Sequence, residues 1–201
     1  MSNFNNLLKP RIVNIENISL NYTRVTLEPL ERGFGHTLGS ALRRIMLSSI
    51  VGSSVTEVSI DGVLHEYSTI EGIQEDVIDI MLNLKDVSFK MNGNKSATLM
   101  LSKNEIGQVT ASDIELKNDI EVVNPDYVIA NITTKSGSLS MQIEVSEGIG
   151  YSAASQRKED SNRIVGSLLI DASYSPVKKV SYRVDSARVE QRTDLDKLII
   201  E

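Results

Sequence analysis

The residues able to do chemistry are few, and their spacing argues against most of it. His36 and His65 are the two imidazoles in 201 residues, and neither has a second ligand at the i, i+4 spacing that places two metal donors on one helix face. Adjacent carboxylates occur at Glu75-Asp76 and Glu159-Asp160. Neighbours in sequence point apart on a helix and are solvated in a loop, so both pairs read as surface charge and not as a general acid with its base. Without cysteine there is no thiol nucleophile, no disulfide framework and no thiolate metal site. Gly148-Ile149-Gly150-Tyr151-Ser152-Ala153 formally matches GxGxxA, with Asp171 about 20 residues on. Pyrophosphate binding, however, needs a sustained helix whose amino end faces the ligand, and the chain passes within a few residues into the charged run RKEDSN. No serine elbow or Walker loop is present. These patterns predict no catalytic residues, no metal and no cofactor.

What remains is binding chemistry, concentrated in LEPLERGFGHTLGSALRRIMLSSI, residues 27–50. Its glycines suit a tight entry into a short helix. At about 100° per residue, Ala41, Phe34, Ile45, Leu38, Leu42 and Met46 form one apolar arc, while His36, Arg43, Leu47, Ser40 and Arg44 share the far side. An arc this wide can serve both a sheet and a second copy of the chain. Leu47 is out of place on a polar face, and Arg44 lies one turn before it. Arginine is enriched at interface centres, and its planar fork pairs well with carboxylates.

Around this helix the periodicity is mostly two. Ile12 to Ile18 and Tyr22 to Glu28 read as a strand pair, with Thr23, Val25 and Leu27 inward, Arg24, Thr26 and Glu28 outward, and Pro29 as the stop. Val55, Val58 and Ile60 mark a strand ending at Asp61-Gly62. Ser68-Thr69-Ile70-Glu71 fits a capping box before a second helix with Ile73, Val77, Ile80, Met81 and Leu84 on one face. Val87 to Met91 then turns at Asn92-Gly93 into Ala97 to Leu101, as a hairpin would, and Tyr127 to Ile132 turns at Ser136-Gly137-Ser138 into Leu139 to Val145 in the same manner. Val165 to Asp171 and Val177 to Val184 are further strands, and Gln156 to Arg163 a charged loop. Two helices against many antiparallel strands predict an α+β fold.

The formal net charge of −6 opposes general attraction to phosphate backbones. Basic residues near the end (Lys178, Lys179, Arg183, Arg188, Arg192) alternate with Asp185 and Glu190, as on a solvated strand face. A free-standing regulator reading DNA through Arg43 and Arg44 is the competing class, and an enzyme the third. No apolar run reaches bilayer length, and MSNFNNLLKPRIV lacks the character of a secretory signal, so a cytoplasmic protein with no membrane contact is expected.

Three long blocks, residues 27–50, 55–76 (VTEVSIDGVLHEYSTIEGIQED) and 174–198 (YSPVKKVSYRVDSARVEQRTDLDKL), with MLNLKDV at 81–87 between them, make the chain resemble the amino-terminal domain of bacterial RNA polymerase alpha subunits over nearly its whole length. The resemblance implies a discontinuous dimerisation domain, 1–50 with 174–201, and an inserted, mostly antiparallel β domain, 51–173. It implies no catalysis. It places dimer contacts on Phe34, Leu38 and Ile45, contacts to the beta subunit on Arg44 and Leu47, and contacts to beta-prime on Lys85 and Ile170. The partners are then a second alpha, identical or divergent, and the two large subunits. The family continues past the position of Glu201 into a second dimerisation helix and a small DNA-binding domain, so direct DNA binding is not expected of this fragment. Ile149 and Ala153 stand where the family commonly has a basic residue and a proline, which weakens any implied activator contact through Glu159 and Asp160.

Overall fold

Alternating β-branched and apolar residues put most of the chain into strands, and wherever two described strands pair they do so antiparallel. The computed structural model describes residues 10, 12–93, 95–117, 119–157, 166–189 and 192–201. In order they form β1 (Ile12–Ser19), β2 (Tyr22–Leu30), α1 (Phe34–Ser48), β3 (Val51–Ile60), α2 (Val77–Asp86), β4 (Phe89–Met91), β5 (Ser96–Lys103), β6 (Gly107–Thr110), β7 (Ile114–Glu115), β8 (Ile120–Val122), β9 (Val128–Ile132), β10 (Leu139–Ile149), β11 (Tyr151–Ser152), β12 (Leu168–Leu169), β13 (Ala172–Ser173), β14 (Tyr182–Val189) and β15 (Arg192–Ile200). The fold is α+β. None of the described helices is long and apolar enough to cross a membrane. The chain divides into two compact units, residues 1–50 with 177–201, and residues 51–176.

The first unit is a four-stranded sheet, β1-β2-β15-β14, carrying α1. Its inward and outward faces differ from the simple alternation expected for β2. Thr23 is exposed, whereas Thr26, expected outward, is only 8 % exposed. Thr26 pairs with buried Ile199. On that same face the pair is flanked by ion pairs, Arg24 to Glu201 at 2.7 Å and Lys197 to Glu28 at 3.5 Å. Long charged side chains bury their aliphatic stems while their ends stay wet, and here they roof a polar threonine. Nor does Pro29 end the strand. β2 runs on to Leu30, because the β2–β15 register shifts between Leu198 and Asp196, and a bulge is where a sheet tolerates a residue with no N–H.

The second unit centres on β3 and β10, paired from Val51↔Ile149 to Ile60↔Met141, in a sheet ordered β7-β5-β10-β3-β4-β8. Val55, Val58, Leu99, Leu101, Met141, Ile143 and the inner face of α2 (Val77, Ile80, Leu84) are all buried in one core. Both expected hairpins are corrected. β4 pairs with β3 and β8 and not with β5, while β9 pairs with β6 and not with β10. Gly93, at φ 97°, redirects the chain without closing a two-residue hairpin. Alternation marks a strand and its buried face but carries no information on which strand lies beside it. The expected capping box also fails, since α2 begins at Val77 after Asp76, and Ser68 Oγ instead donates to the His65 carbonyl at 2.7 Å. Residues 166–167 precede a strand of two residues, β12, so the strand expected from Val165 shortens to Leu168–Leu169. The strand expected from Val177 begins only at Tyr182. Of the charged loop, residues 158–163 lie outside the described residues, Glu159 and Asp160 among them, as does Val165 of the expected strand. Gln156 and Arg157 close a short 3-10 turn, Ala154–Arg157.

A Cβ on Gly52 would sit 1.8 Å from the Tyr174 carbonyl oxygen, whereas one on Gly62 would meet open space. Gly52→Ala must therefore move backbone, and overpacking of this kind costs about 1–3 kcal/mol. Gly62→Ala bears only the price of a positive φ, about 1–2 kcal/mol. Urea unfolding should rank Gly52→Ala as the less stable variant. Equal midpoints would show that the Gly52 approach is not tight.

Candidate functional site

The entry to α1 is made by one glycine and one carboxylate. Gly33 takes φ 86°, the left-handed conformation that only glycine adopts without strain, and supplies no side-chain cap. Asp196, reaching over from β15, replaces the missing cap. Its Oδ2 accepts from the Gly33 N–H at 2.8 Å and the Gly35 N–H at 3.0 Å. A carboxylate there also meets the positive end of the helix dipole.

The other two glycines of GFGHTLG do something the sequence pattern did not suggest. They do not shape the entry turn but let α1 approach the sheet. A Cβ on Gly35 would lie 2.7 Å from a Val184 methyl, and one on Gly39 would lie 2.4 Å from the Tyr182 ring and 2.9 Å from a Leu198 methyl. With these glycines underneath, the apolar arc divides. Leu38, Leu42 and Met46 pack against the core around Leu30, Val180, Leu198 and Ile200. Phe34, 42 % exposed, and Ile45, 53 % exposed, project from the flank together with exposed Ala41. Arg43 and Arg44 are exposed. Leu47 is not the isolated leucine that angular spacing implies, because it is half-buried and packs against that same core. It lies about 80° round the axis from Gly39, at the margin of the contact, where a leucine is long enough to reach back.

α1 covers β14 and β15. Paired residues share a face, and Val13 pairs with Leu27, which pairs with the Leu198 that lies under α1. Val13 and, two residues on, Ile15 thus belong to the face that carries the helix, yet they are 56 % and 62 % exposed. Sequence reasoning gave these two no role. Their alternation with Asn14 and Glu16 was visible, but how far the helix extends across the sheet was not.

In the second unit, Lys85 lies in the last turn of α2, and its Nζ stands 5.7 Å from the centre of the Tyr151 ring, within the range of a cation–π contact. The Tyr151 hydroxyl donates to Asp171 Oδ2 at 2.7 Å, and the Ala154 N–H donates to Oδ1 at 2.7 Å. One carboxylate thus ties the β11 tyrosine to the 3-10 turn. Arg157, at the end of that turn, donates to the Thr56 carbonyl at 3.2 Å and to the Ile170 carbonyl. Lys85 and Asp171, and through the chain Ile170, are thereby drawn to one place. The Ile170 side chain is buried, and its N–H donates to Thr56 O at 2.9 Å. It cannot itself meet a partner, whereas Tyr151, 60 % exposed, can.

Among the described residues the GxGxxA segment builds no nucleotide cradle. Gly148 lies within β10, where a Cβ would strike the Tyr174 ring at 2.6 Å, and the described residues that follow make a helical turn of four residues, Ala154–Arg157. Among the expected surface acids, Glu75 is instead half-buried and accepts from the Asn131 N–H at 2.7 Å and the Asn131 side-chain amide at 2.6 Å. The basic residues near the end are offset by acids, with Arg192 at 2.9 Å from Glu31 and Arg183 at 3.7 Å from Asp185. Residues 58–175, more than half of the chain, match the family model described as the RNA polymerase Rpb3/RpoA insert domain. The match contains Lys85, Tyr151, Arg157, Ile170 and Asp171.

The Asp171 carboxyl is held below its ordinary value of 3.8, first by the Ala154 N–H and then by the Tyr151 hydroxyl. The Tyr151 phenol is held above 10, first because its proton is shared with Asp171. A depressed carboxyl contributes its stabilisation fully above its unfolded value and loses it as pH falls through the folded one. NMR titration should place Asp171 below 3.8 and Tyr151 above 10, and Tyr151→Phe should move the Asp171 midpoint upward. An unmoved midpoint would mean that the 2.7 Å hydroxyl contact is not made in solution.

Proposed function

The chain belongs to the RNA polymerase Rpb3/RpoA insert-domain family, a family of non-catalytic polymerase subunits, and from that membership we propose that it is the amino-terminal part of a bacterial alpha subunit. In this reading it dimerises and recruits the beta and beta-prime subunits that carry the chemistry. The first unit, 1–50 with 177–201, is the dimerisation domain and the second, 51–176, the inserted domain that meets large subunits.

The observation that carries the reading is the division of the α1 arc. A helix serving only its own sheet would not leave a phenylalanine and an isoleucine projecting from one flank. Magnitudes decide how large the dimer interface must be. Full burial of such a side chain is worth about 1.5–3 kcal/mol, and these two are already half covered, so each of the two side chains adds roughly 1 kcal/mol. Twofold symmetry counts every contact twice, giving about 4 kcal/mol in all, at the lower limit of the 4–15 kcal/mol that association costs. Leu38 adds less, being more covered than either and packed on the core of its own unit. The interface therefore takes in more apolar surface than Phe34, Leu38 and Ile45, and the exposed Val13 and Ile15, on the sheet face that bears α1, supply it.

Arg44 is the hydrogen-bonding fork for the beta subunit. Leu47, half-buried beside it, supports the helix end from beneath and offers the rest of its side chain to the same subunit. Lys85 is the charged contact for beta-prime. Ile170 acts from inside the core, by placing the link between β12 and β13 that bears Asp171.

Mass measurement in solution, followed by capture of purified beta subunit, tests the assignment. Ile45→Asp should weaken the dimer at least tenfold, about 1.4 kcal/mol. Arg44→Ala should leave the dimer intact and lose beta capture. Dissociation of the dimer by Arg44→Ala, with Ile45→Asp unaffected, would reverse the faces and overturn the reading.

A further inference from the structure

Asp171 was conspicuous in the sequence only as part of a nucleotide motif that the fold does not build, and the assembly reading gives it no task. Its surroundings do. β11 is two residues long and, among the described residues, pairs with β13, through Tyr151↔Ser173 and Ser152↔Ala172, so the ladder sets the Tyr151 backbone but not its ring. The ring is largely exposed, and its described restraints are the Lys85 ammonium on one side and the hydroxyl bond to Asp171 at its tip. Asp171 is itself fixed. It follows Ile170, whose N–H and carbonyl are both engaged, by Thr56 and Arg157, and its second oxygen holds the Ala154 N–H.

We propose that Asp171 is a positioning residue: its carboxylate holds the Tyr151 ring beneath Lys85, and the ring in turn holds the Lys85 ammonium in the orientation in which it meets a carboxylate of the partner. The inference rests on the reading of Lys85 as the beta-prime contact. Lysine is a point charge on a flexible four-carbon stem, and confining it before the encounter removes an ordering cost from binding. The negative charge of Asp171 acts on Lys85 as well. Its oxygens already accept from the Tyr151 hydroxyl and the Ala154 N–H, and its charge acts on the ammonium through space without forming an ion pair with it.

The test is capture of purified beta-prime by the preformed complex of this chain's dimer with beta. Lys85→Ala should lower beta-prime affinity tenfold or more. Asp171→Ala should lower it about tenfold, and Tyr151→Phe, which keeps the ring and loses its tether, about threefold to tenfold. Asp171→Asn, which retains an acceptor for Ala154 and a polar partner for the hydroxyl, should recover to within about threefold of the parent. The deciding readout is coupling. In a Lys85→Ala background, Asp171→Ala should cost nothing more, because residues acting as one unit are not additive. An additive loss would make Asp171 merely structural and overturn the proposal. Parental capture by both Asp171→Ala and Tyr151→Phe, with Lys85→Ala defective, would overturn the proposal alone, whereas parental capture by Lys85→Ala would remove the reading beneath it. Should Asp171→Ala fail to fold, Tyr151→Phe and its double variant with Lys85→Ala decide by the same criterion.

Discussion

Two missing side chains govern the first unit. With nothing beyond a hydrogen at Gly35 and Gly39, α1 settles until Val184, Tyr182 and Leu198 occupy the space a Cβ would need, and that contact sets the rotation of the helix about its own axis. Once the glycine line faces the sheet, Leu42 and Met46 must follow it inward and Phe34, Ala41 and Ile45 must point away. Asp196 fixes the axial position by accepting from Gly33 and Gly35, and it comes from β15, one of the two strands on which the helix lies. β15 thus supplies the cap and, with β14, the seat. A helix standing off by the width of a methyl group would be free to turn, and its apolar flank would have no defined direction.

The second unit is held by longer-range means. β3 and β10 pair along their whole lengths, and their far end is closed by one tyrosine. The Tyr174 ring lies over Gly148, its hydroxyl is 3.0 Å from Ser146 Oγ, and its carbonyl is packed against Gly52. A short step back along the chain from Tyr174 are β13 and Asp171. The carboxylate that holds Tyr151 therefore hangs from a rigid corner of the sheet, which is how a two-residue strand such as β11 can carry an exposed ring in a defined place. Placing a contact group on a short element is workable when the groups supporting it stand on a firm one.

What the sequence made legible follows from how local each determinant is. The helical arc of α1, the buried face of α2, and the strands β1, β2, β3, β5 and β10 depend on periodicity within one element, and periodicity was enough to find them. Whether Phe34 and Ile45 faced inward or outward depended on which side of the helix met the sheet. That was written in Gly35 and Gly39, whose spacing of four places both on one face, but the same residues read equally well as turn glycines. Strand partners were out of reach for a related reason: Phe89 to Met91 alternates identically beside β5 or beside β8. Thr26 was misplaced because its cross-strand neighbour, buried Ile199, is far away in sequence. The contact roles proposed for Lys85 and Ile170 came from family resemblance and not from pattern, whereas Arg44 was also singled out by its place one turn before Leu47. Tyr151 and Asp171 lay in plain view inside a motif, but their bond is made by a fold that brings together residues 20 apart in a way the motif does not specify.

Under the assembly reading the two units recognise their partners by different physics. The flank of α1 and the open part of the sheet face are apolar, so pairing there is nearly indifferent to ionic strength and tolerant of small changes in shape, as hydrophobic association is. Lys85 is a charge at the surface, screened within about 8 Å at physiological salt, and contributes little unless its position is prepared. An isolated surface ion pair is worth at most about 1 kcal/mol because two long side chains must be ordered to make it. Stacking the ammonium on a ring whose hydroxyl is tethered to a buried-backbone corner removes part of that ordering cost before the partner arrives. The apolar flank can therefore supply bulk affinity between copies of the same chain, while discrimination among larger partners falls to a few polar groups whose geometry is set in advance. That division suits a protein whose task is to bring other chains together, because a strong but undiscriminating surface is safe only against a partner that is a copy of itself.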